Sequence, residues 1–255
     1  MKIRVLGCSG GIGGRHLRTT SFLIDNDILI DCGTGVADLS IAELAQVDHV
    51  FLTHSHMDHI ACLPLMIDTA GDMRNRPLNV YATRATEEIL RAHVFNWAIW
   101  PDFSKIPTPA EPWVRFVTLN EGEAVELQGR LIRPLPVNHT VPAVGYQCDS
   151  GKASLVFSGD TGPCPAFWEA VNRIDNLKTL IIETAFSNRE RKLAETSLHL
   201  CPNMLFEELA YLQSQPDIFI THLKPGQIEL TMEEIEDSIG DFKPRMLQNN
   251  QVFEL

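Results

Sequence analysis

Three histidines and one aspartate fall within six residues, directly after an apolar, strand-like segment. The run is His54-Ser55-His56-Met57-Asp58-His59, and it follows Val50-Phe51-Leu52-Thr53. Imidazole and carboxylate groups are common ligands of divalent metal ions in enzymes. Four such groups in so short a loop cannot all reach one ion without strain, whereas two neighbouring ions can share them. The spacing therefore predicts a two-metal hydrolase site, and a polar surface turn rich in histidine is the alternative.

Three further candidate ligands each lie at the end of another apolar run. His139 follows residues 131–137, Asp160 lies in a glycine-bounded turn after residues 154–158, and His222 follows residues 217–221. Catalytic groups of α/β proteins tend to gather at the carboxyl ends of buried strands. Each residue alone could be a structural histidine or a turn-forming aspartate. Together they extend the predicted metal site.

The elements that position these groups form two successive halves, each built from strands and helices. Strands are predicted at 3–8, 20–24, 28–31, 49–53, 78–82, 141–147, 154–158, 179–183 and 217–221. Helical spacing of apolar residues marks 37–45, 86–94, 167–174, 202–214 and 232–239. Two halves of strands with helices outside predict an α/β fold with a four-layer αββα sandwich, rather than a doubly wound sheet.

A chain of 255 residues fits one sizeable domain, so a single domain over 1–255 is expected. The segment 93–113 stands apart because it combines aromatic residues with four prolines, which exclude a regular helix. A cap over the active site, a dimer contact and a packed connector are the alternatives for this segment.

Composition restricts the partners and the compartment. Acidic residues outnumber basic ones by 33 to 21, and no Lys/Arg-rich run exists, which argues against extended nucleic-acid binding. A small anionic substrate is compatible with this charge, because two divalent cations supply local positive charge. No apolar stretch is long enough for a membrane span, and no signal region is visible, so a cytoplasmic protein is expected. The six scattered cysteines are expected to be free thiols.

These residues resemble the metallo-β-lactamase superfamily, and the resemblance extends over nearly the whole chain. His54, His56, Asp58 and His59 match its HxHxDH signature, and His139, Asp160 and His222 match its later metal motifs. The resemblance implies a first ion on His54, His56 and His139 and a second on Asp58, His59 and His222. It further implies that Asp160 and a hydroxide bridge the two. Zinc suits these ligands, and manganese or iron(II) fits similar geometry.

Finer features resemble the phosphodiesterase branch of the superfamily. The opening residues 6–14 and the segments 18–24 and 29–35 are similar to those of transfer-RNA 3′-processing endonucleases and class II cyclic-nucleotide phosphodiesterases. Residues 58–65, 96–103, 182–188 and 221–225 look more like class II, and the basic arm usual in the processing endonucleases is not visible. The resemblance implies hydrolysis of 3′,5′-cyclic nucleotides to nucleoside 5′-monophosphates through the metal-bridging hydroxide.

Candidate catalytic residues follow from the same resemblance. Asp58 would orient the nucleophile, while Glu183 and His199 are similar in order to the proton-donating Glu and His of the processing endonucleases. An ordinary residue before a helix start is the alternative for His199. Arg15, His16 and Arg18 in the opening loop are candidates for substrate contact, and surface exposure explains them equally well.

Two other functions stay open at this stage. One is an RNA 3′-end endonuclease or general small-molecule phosphodiesterase, and the other is a non-hydrolytic metal-bound binding or cofactor-delivery protein. The glycines between Gly10 and Gly14 predict a tight turn lining the site rather than a dinucleotide loop, because residues 19–24 read as another strand. No cofactor besides the metal ions is therefore expected, and a homodimer is left open.

Overall fold

A computed structural model describes residues 1–14, 16–120, 122–238, 240 and 242–255. Within these ranges the strands are β1 (Lys2–Gly7), β2 (Ser21–Ile24), β3 (Ile28–Ile30), β4 (His49–Phe51), β5 (Leu78–Thr83), β6 (Val114–Leu119), β7 (Val125–Leu127), β8 (Arg130–Pro136), β9 (Val144–Asp149), β10 (Ser154–Phe157), β11 (Leu177–Glu183), β12 (Asp217–Thr221), β13 (Arg245–Met246) and β14 (Val252–Glu254). The α-helices are α1 (Ile41–Gln46), α2 (Met57–Ile60), α3 (Leu63–Ala70), α4 (Arg84–His93), α5 (Pro165–Val171), α6 (Arg191–Ser197), α7 (Pro202–Leu209) and α8 (Ile228–Ser238). Short 3₁₀ turns cover Thr34–Asp38, Gly71–Met73 and Asn188–Glu190.

The strands form two mixed sheets, each with seven strands in the described part of the chain. The first has the order β14-β1-β2-β3-β4-β5-β6, and the second has the order β13-β12-β11-β10-β9-β8-β7. Strands β3 to β6 are parallel to one another, and so are β10 to β13. The loops after these parallel strands therefore leave from one edge of each sheet, and the predicted ligands lie in several of those loops.

Three apolar cores separate four layers. Successive residues of a strand point to opposite faces. Accordingly Val50 packs in the core under the helices of the first sheet, whereas Phe51 packs between the two sheets. Leu180 and Ile181 are divided in the same way in the second sheet. Because both faces of each sheet are covered, the predicted αββα sandwich is confirmed.

The helix predicted over 37–45 is wrong as one element. A 3₁₀ turn over Thr34–Asp38 ends first, and α1 then begins after Ser40. The Ser40 hydroxyl accepts a hydrogen bond from the Glu43 N–H, and the Glu43 carboxylate accepts one from the Ser40 N–H. This reciprocal capping fixes the start of the helix at that point.

The other predicted helices also differ at their ends. The helices predicted over 86–94 and 167–174 correspond to α4 (Arg84–His93) and α5 (Pro165–Val171), which both begin and end earlier. The one predicted over 202–214 stops at Leu209, because Asn172 bonds the Tyr211 carbonyl and the Gln213 N–H and directs the chain out of the helix. The one predicted over 232–239 begins earlier, at Ile228, and its predicted last residue, Ile239, lies outside the described residues.

The segment 93–113 packs mainly against the first sheet. Phe95 and Phe103 are buried in the core between that sheet and its helices, and Trp100 is partly buried against it. Trp97 is 61% exposed. Of the three alternatives for this segment, these contacts favour a packed connector. The single domain over residues 1–255 stays a prediction.

Two further findings concern composition. Among the described residues, no helix combines the length and apolar character needed to cross a membrane. Among the described residues, Cys8, Cys32, Cys62, Cys148 and Cys201 are free thiols.

Candidate metal centre

The first group of candidate ligands brings together His54, His56, His139 and Asp160, whose ligand atoms lie within 4.8 Å of one another. His56 Nδ1 lies 3.1 Å from His139 Nε2, and His54 Nε2 lies 3.6 Å from Asp160 Oδ2. His139 Nδ1 lies 3.1 Å from the Leu198 carbonyl, to which it donates a hydrogen bond. Because a neutral imidazole carries one proton, Nε2 of His139 is left with a lone pair directed into the group.

The second group consists of Asp58, His59, Asp160 and His222, and its ligand atoms also lie within 4.8 Å of one another. Asp160 Oδ1 lies 3.4 Å from His59 Nε2 and 3.2 Å from His222 Nδ1. His222 Nε2 lies 3.7 Å from Asp58 Oδ2. Asp160 belongs to both groups, so all seven predicted ligands surround one continuous centre.

Parallel strands of the second sheet explain how distant residues meet. Asp160 follows β10, Glu183 is the last residue of β11, and His222 follows β12. These three strands are neighbours and parallel, so their carboxyl ends share one sheet edge. His222 has a left-handed backbone (φ 64°), and its N–H donates to the Cys8 carbonyl. Gly159 before Asp160 also has a left-handed backbone (φ 62°), which glycine adopts without steric cost.

Four buried polar atoms in the centre have no hydrogen-bond partner among the described residues. They are His54 Nε2, His59 Nε2, Asp160 Oδ1 and His222 Nδ1. Each unsatisfied buried group costs about 1–3 kcal/mol, so native proteins rarely leave several together. Imidazole nitrogens and carboxylate oxygens are the donor set of zinc and related divalent ions. The residues therefore fit a pair of divalent metal ions.

The electrostatics of the centre agree with this interpretation. Burial lowers the pKa of His54 well below its ordinary value, the pKa of His139 to about 4 and the pKa of His222 to about 3. Although burial opposes ionisation, His222, His59 and His54 hold the pKa of Asp160 well below its usual range. Neutral imidazoles beside an ionised carboxylate are the protonation states that bind metal ions.

His59 is the exception. Burial alone would lower its pKa, but the Asp160 and Asp31 carboxylates on either side raise the pKa of His59 well above its ordinary value. A positive charge is thus favoured between these two buried carboxylates. A divalent ion on Nε2 of His59 would provide that charge and leave the Nδ1 proton for Asp31.

Asp31 contacts the centre, and none of the sequence motifs pointed to it. It follows β3, which is parallel to β4, and its Oδ2 accepts from His59 Nδ1 at 2.6 Å. The Thr53 N–H and hydroxyl both donate to Asp31 at 2.8 Å, and the same hydroxyl lies 2.9 Å from His54 Nδ1. Asp31 therefore orients His59 of the second group directly and His54 of the first group through Thr53. Its position directly after an apolar strand is the sequence feature that could have indicated this contact.

Replacing Asp31 with asparagine is expected to weaken metal binding about 10–100-fold, the usual effect of losing a carboxylate that orients a ligating histidine. Asparagine has the same shape as aspartate, but its NH₂ group cannot accept the hydrogen bonds that Thr53 and His59 donate to Asp31. Competition against a chelator measures the affinity. Asp102→Asn is a matched control, because Asp102 is also buried, its side chain bonds to Ser104 and Lys105, and it belongs to neither ligand group. Equal affinity in Asp31→Asn and the wild type would contradict the orienting role.

Glu183 and His199 lie beside both groups. His199 Nδ1 is 2.7 Å from Glu183 Oε1, and Glu183 is fully buried. The Glu183 carboxylate also accepts from the N–H groups of Thr161 and Ala185. The His199 ring centroid lies 5.0 Å from that of His139 and 5.2 Å from that of His222.

The surroundings set the charge of this pair. Burial raises the pKa of Glu183, and this carboxylate raises the pKa of His199 although burial alone would lower it. Nδ1 of His199 is committed to Glu183, so Nε2 is the nitrogen that can exchange a proton with a substrate.

The opening loop contributes packing against the centre. A Cβ at Gly10 would lie 2.3 Å from the His222 carbonyl oxygen, so only glycine permits this approach. Arg18 forms hydrogen bonds with both oxygens of Asp38, and the His16 side chain is exposed. Arg15 lies outside the described residues.

Comparisons with known proteins agree with this fold. The family model of the beta-lactamase superfamily domain matches residues 26–228. A probable 3′,5′-cyclic-nucleotide phosphodiesterase of Yersinia pestis is 26% identical to this chain. The alignment covers 88% of this chain and 78% of the relative. A ribonuclease Z of Methanosarcina acetivorans is 23% identical and covers 78% of this chain and 80% of its own length.

A solved structure shows the same fold. Unliganded yeast PDE1 superposes with a TM-score of 0.81 at 20% identity, over 100% of this chain and 99% of its own. The match of the family model over most of the sequence, with the His/Asp centre at the expected loops, leads to one conclusion. The chain belongs to the beta-lactamase superfamily and is one of its metal-dependent hydrolases.

Proposed function

We propose that this protein is a phosphodiesterase that hydrolyses 3′,5′-cyclic nucleotides to nucleoside 5′-monophosphates with two divalent metal ions, zinc by preference. The observation that carries the proposal is the pair of ligand groups sharing Asp160, with the buried Glu183–His199 pair beside them. Hydrolysis of a phosphodiester uses both the metal ligands and the proton donor. The negative charge of the substrate must be neutralised, and its alkoxide leaving group benefits from a proton.

The relatives support the substrate class. Two curated relatives named as 3′,5′-cyclic-nucleotide phosphodiesterases, from Yersinia pestis and Aliivibrio fischeri, cover 88% and 86% of this chain. Free thiols fit a reducing compartment, and we propose that the protein is cytoplasmic.

The chain's own residues divide the work. His54, His56 and His139 would hold the first ion, Asp58, His59 and His222 the second, and Asp160 both. Divalent ions bound there would activate a water as nucleophile and neutralise charge on the phosphoryl oxygens. Asp58, which is 28% exposed, would orient the attacking water while serving as a ligand.

His199 would act on the other side of the reaction. Nε2 of His199 gives a proton to the departing 3′-oxygen, and Glu183 holds the ring through Nδ1 and stabilises its charged form. The left-handed Leu198 before it (φ 52°) ends α6, and its carbonyl also fixes His139. One turn of chain thus positions a proton donor and a metal ligand together.

Ribonuclease action on RNA 3′ ends is the second candidate, and the ribonuclease Z relatives favour it. The net charge of −12 opposes it, because extended RNA binding requires many phosphate-neutralising side chains. The two candidates differ in salt dependence, since RNA binding weakens steeply as salt rises and binding of one small diester does not.

The decisive experiment incubates the purified, metal-loaded protein with cyclic AMP and with cyclic GMP and separates the products by chromatography. We expect the nucleoside 5′-monophosphate from at least one substrate. Asp58→Ala should abolish its release. Asp68→Ala is the matched control, because Asp68 is an exposed carboxylate on α3 that belongs to neither ligand group.

The alternatives have distinct outcomes. Cleavage of precursor transfer RNA without turnover of either cyclic nucleotide would replace the proposal with the ribonuclease function. Inactivity toward cyclic nucleotides, RNA and a simple aryl phosphodiester would support a non-hydrolytic binding or cofactor-delivery role.

A further inference from the structure

Lys224 is a cation beside the metal centre to which the mechanism assigns no role. It follows His222 by two residues, and its Nζ donates to the Gly10 carbonyl at 2.7 Å. Gly10 itself packs against the His222 ring, because a Cβ there would lie 2.8 Å from His222 Cδ2. The short chain of contacts from Lys224 through Gly10 therefore places the ammonium group next to a ligand of the second group.

A second set of contacts places the same ammonium group near the proton donor. Nζ of Lys224 lies 5.8 Å from the centroid of the Phe186 ring. That ring lies 5.7 Å from the His199 ring, which stacks on His222 at 5.2 Å. Lys224 thus lies at the wall of the site formed by His199 and His222.

The ammonium group of Lys224 has no ion-pair partner in the described part of the chain. Among the described residues, no carboxylate lies within ion-pair distance of Nζ, although acidic side chains outnumber basic ones by 33 to 21. An ammonium group has three N–H donors, and the contact with Gly10 uses one. A lone cation beside sites for two divalent ions is repelled by them unless an anion lies between.

We propose that Lys224 is a substrate-binding residue whose ammonium group contacts a non-bridging oxygen of the phosphoryl group at the His199–His222 side of the site. This inference rests on the proposed function, and it deepens it by assigning a specificity determinant for anionic phosphoryl substrates. The half-buried side chain is held in place by Gly10 and Phe186, so little conformational freedom is lost on binding.

A purely structural role for Lys224 is the competing explanation, because its bond to Gly10 also joins the opening loop to the turn after β12. Lys224→Met removes the charge and keeps the apolar stem, while Lys224→Arg keeps the charge. Lys178→Met is the matched control, since Lys178 Nζ also donates to a backbone carbonyl, that of Glu254, at 2.8 Å. That bond lies at the start of β11, at the end of the strand opposite Glu183.

The test measures binding of inorganic phosphate to the metal-loaded proteins by isothermal titration calorimetry. Metal content by mass spectrometry and melting temperature are recorded alongside. We expect Lys224→Met to bind phosphate about tenfold more weakly, the effect of losing one charge-assisted hydrogen bond. Lys224→Arg should retain most of the affinity, Lys178→Met all of it, and every variant its metal. In turnover, the Lys224→Met substitution should raise KM for the phosphodiester about tenfold with little change in kcat.

Three results would overturn the inference: wild-type affinity for phosphate in Lys224→Met, equal losses in the Met and Arg variants together with lower metal content, or no phosphate binding by the wild type. Failure of the proposed function looks different. If the wild type binds phosphate through Lys224 yet leaves cyclic nucleotides intact, the proposed substrate is wrong and the role of Lys224 stands.

Discussion

Replacing Asp160 with alanine is expected to remove both metal ions and reduce hydrolysis by more than about 10⁴-fold, because nucleophile generation and charge neutralisation are lost together. Asp160 is the one residue common to the two ligand groups. Every other ligand belongs to a single group, so its loss leaves the other group complete. The expected signature is therefore a fall to less than one ion per chain, rather than to one.

Thermal unfolding separates this effect from a folding defect. Ions that bind only the folded state raise the melting temperature of the wild type. In Asp160→Ala we expect that increase to vanish while the metal-free protein still melts cooperatively. Asp102→Ala removes another buried carboxylate outside both groups and should lower stability without affecting metal content. Two ions retained by Asp160→Ala would refute the shared-ligand assignment.

Replacing His199 with alanine is expected to lower kcat on cyclic nucleotides by about 10²–10⁴-fold, the usual contribution of a positioned general acid. Metal content should not change, because His199 belongs to neither ligand group. His93→Ala is the matched control, since His93 is an exposed histidine at the end of α4. It should leave kcat unchanged.

A change of leaving group tests the chemical role of His199 directly. An aryl phosphodiester with a p-nitrophenolate leaving group needs no proton, so His199→Ala should hydrolyse it at nearly the wild-type rate. Glu183 raises the pKa of His199, so the imidazole of His199 is protonated at pH values below this raised pKa. Activity should therefore fall as the pH rises through the pKa of His199. His199→Ala should lack this alkaline limb. Equal losses on both substrates would indicate a structural role instead.

The local part of this protein can be predicted from its sequence. The HxHxDH run, the three later ligands and the alternation of apolar residues all depend on short stretches of chain. Val50 and Phe51, for example, enter different cores simply because neighbouring residues of a strand point to opposite faces. Such patterns report burial and strand ends, which is why the observed four-layer fold agrees with expectation.

Relations between distant residues were decided by tertiary structure alone. Asp31 supports His59, and Lys224 bonds to Gly10 of the opening loop, because strand order and register bring separate loops to one edge. Parallel pairing of β3 with β4, and of β10 with β11 and β12, creates these neighbours. Periodicity within a single strand carries no information about which strand pairs with it. The sequence therefore determined which side chains are available for chemistry, and sheet pairing determined which of them act together.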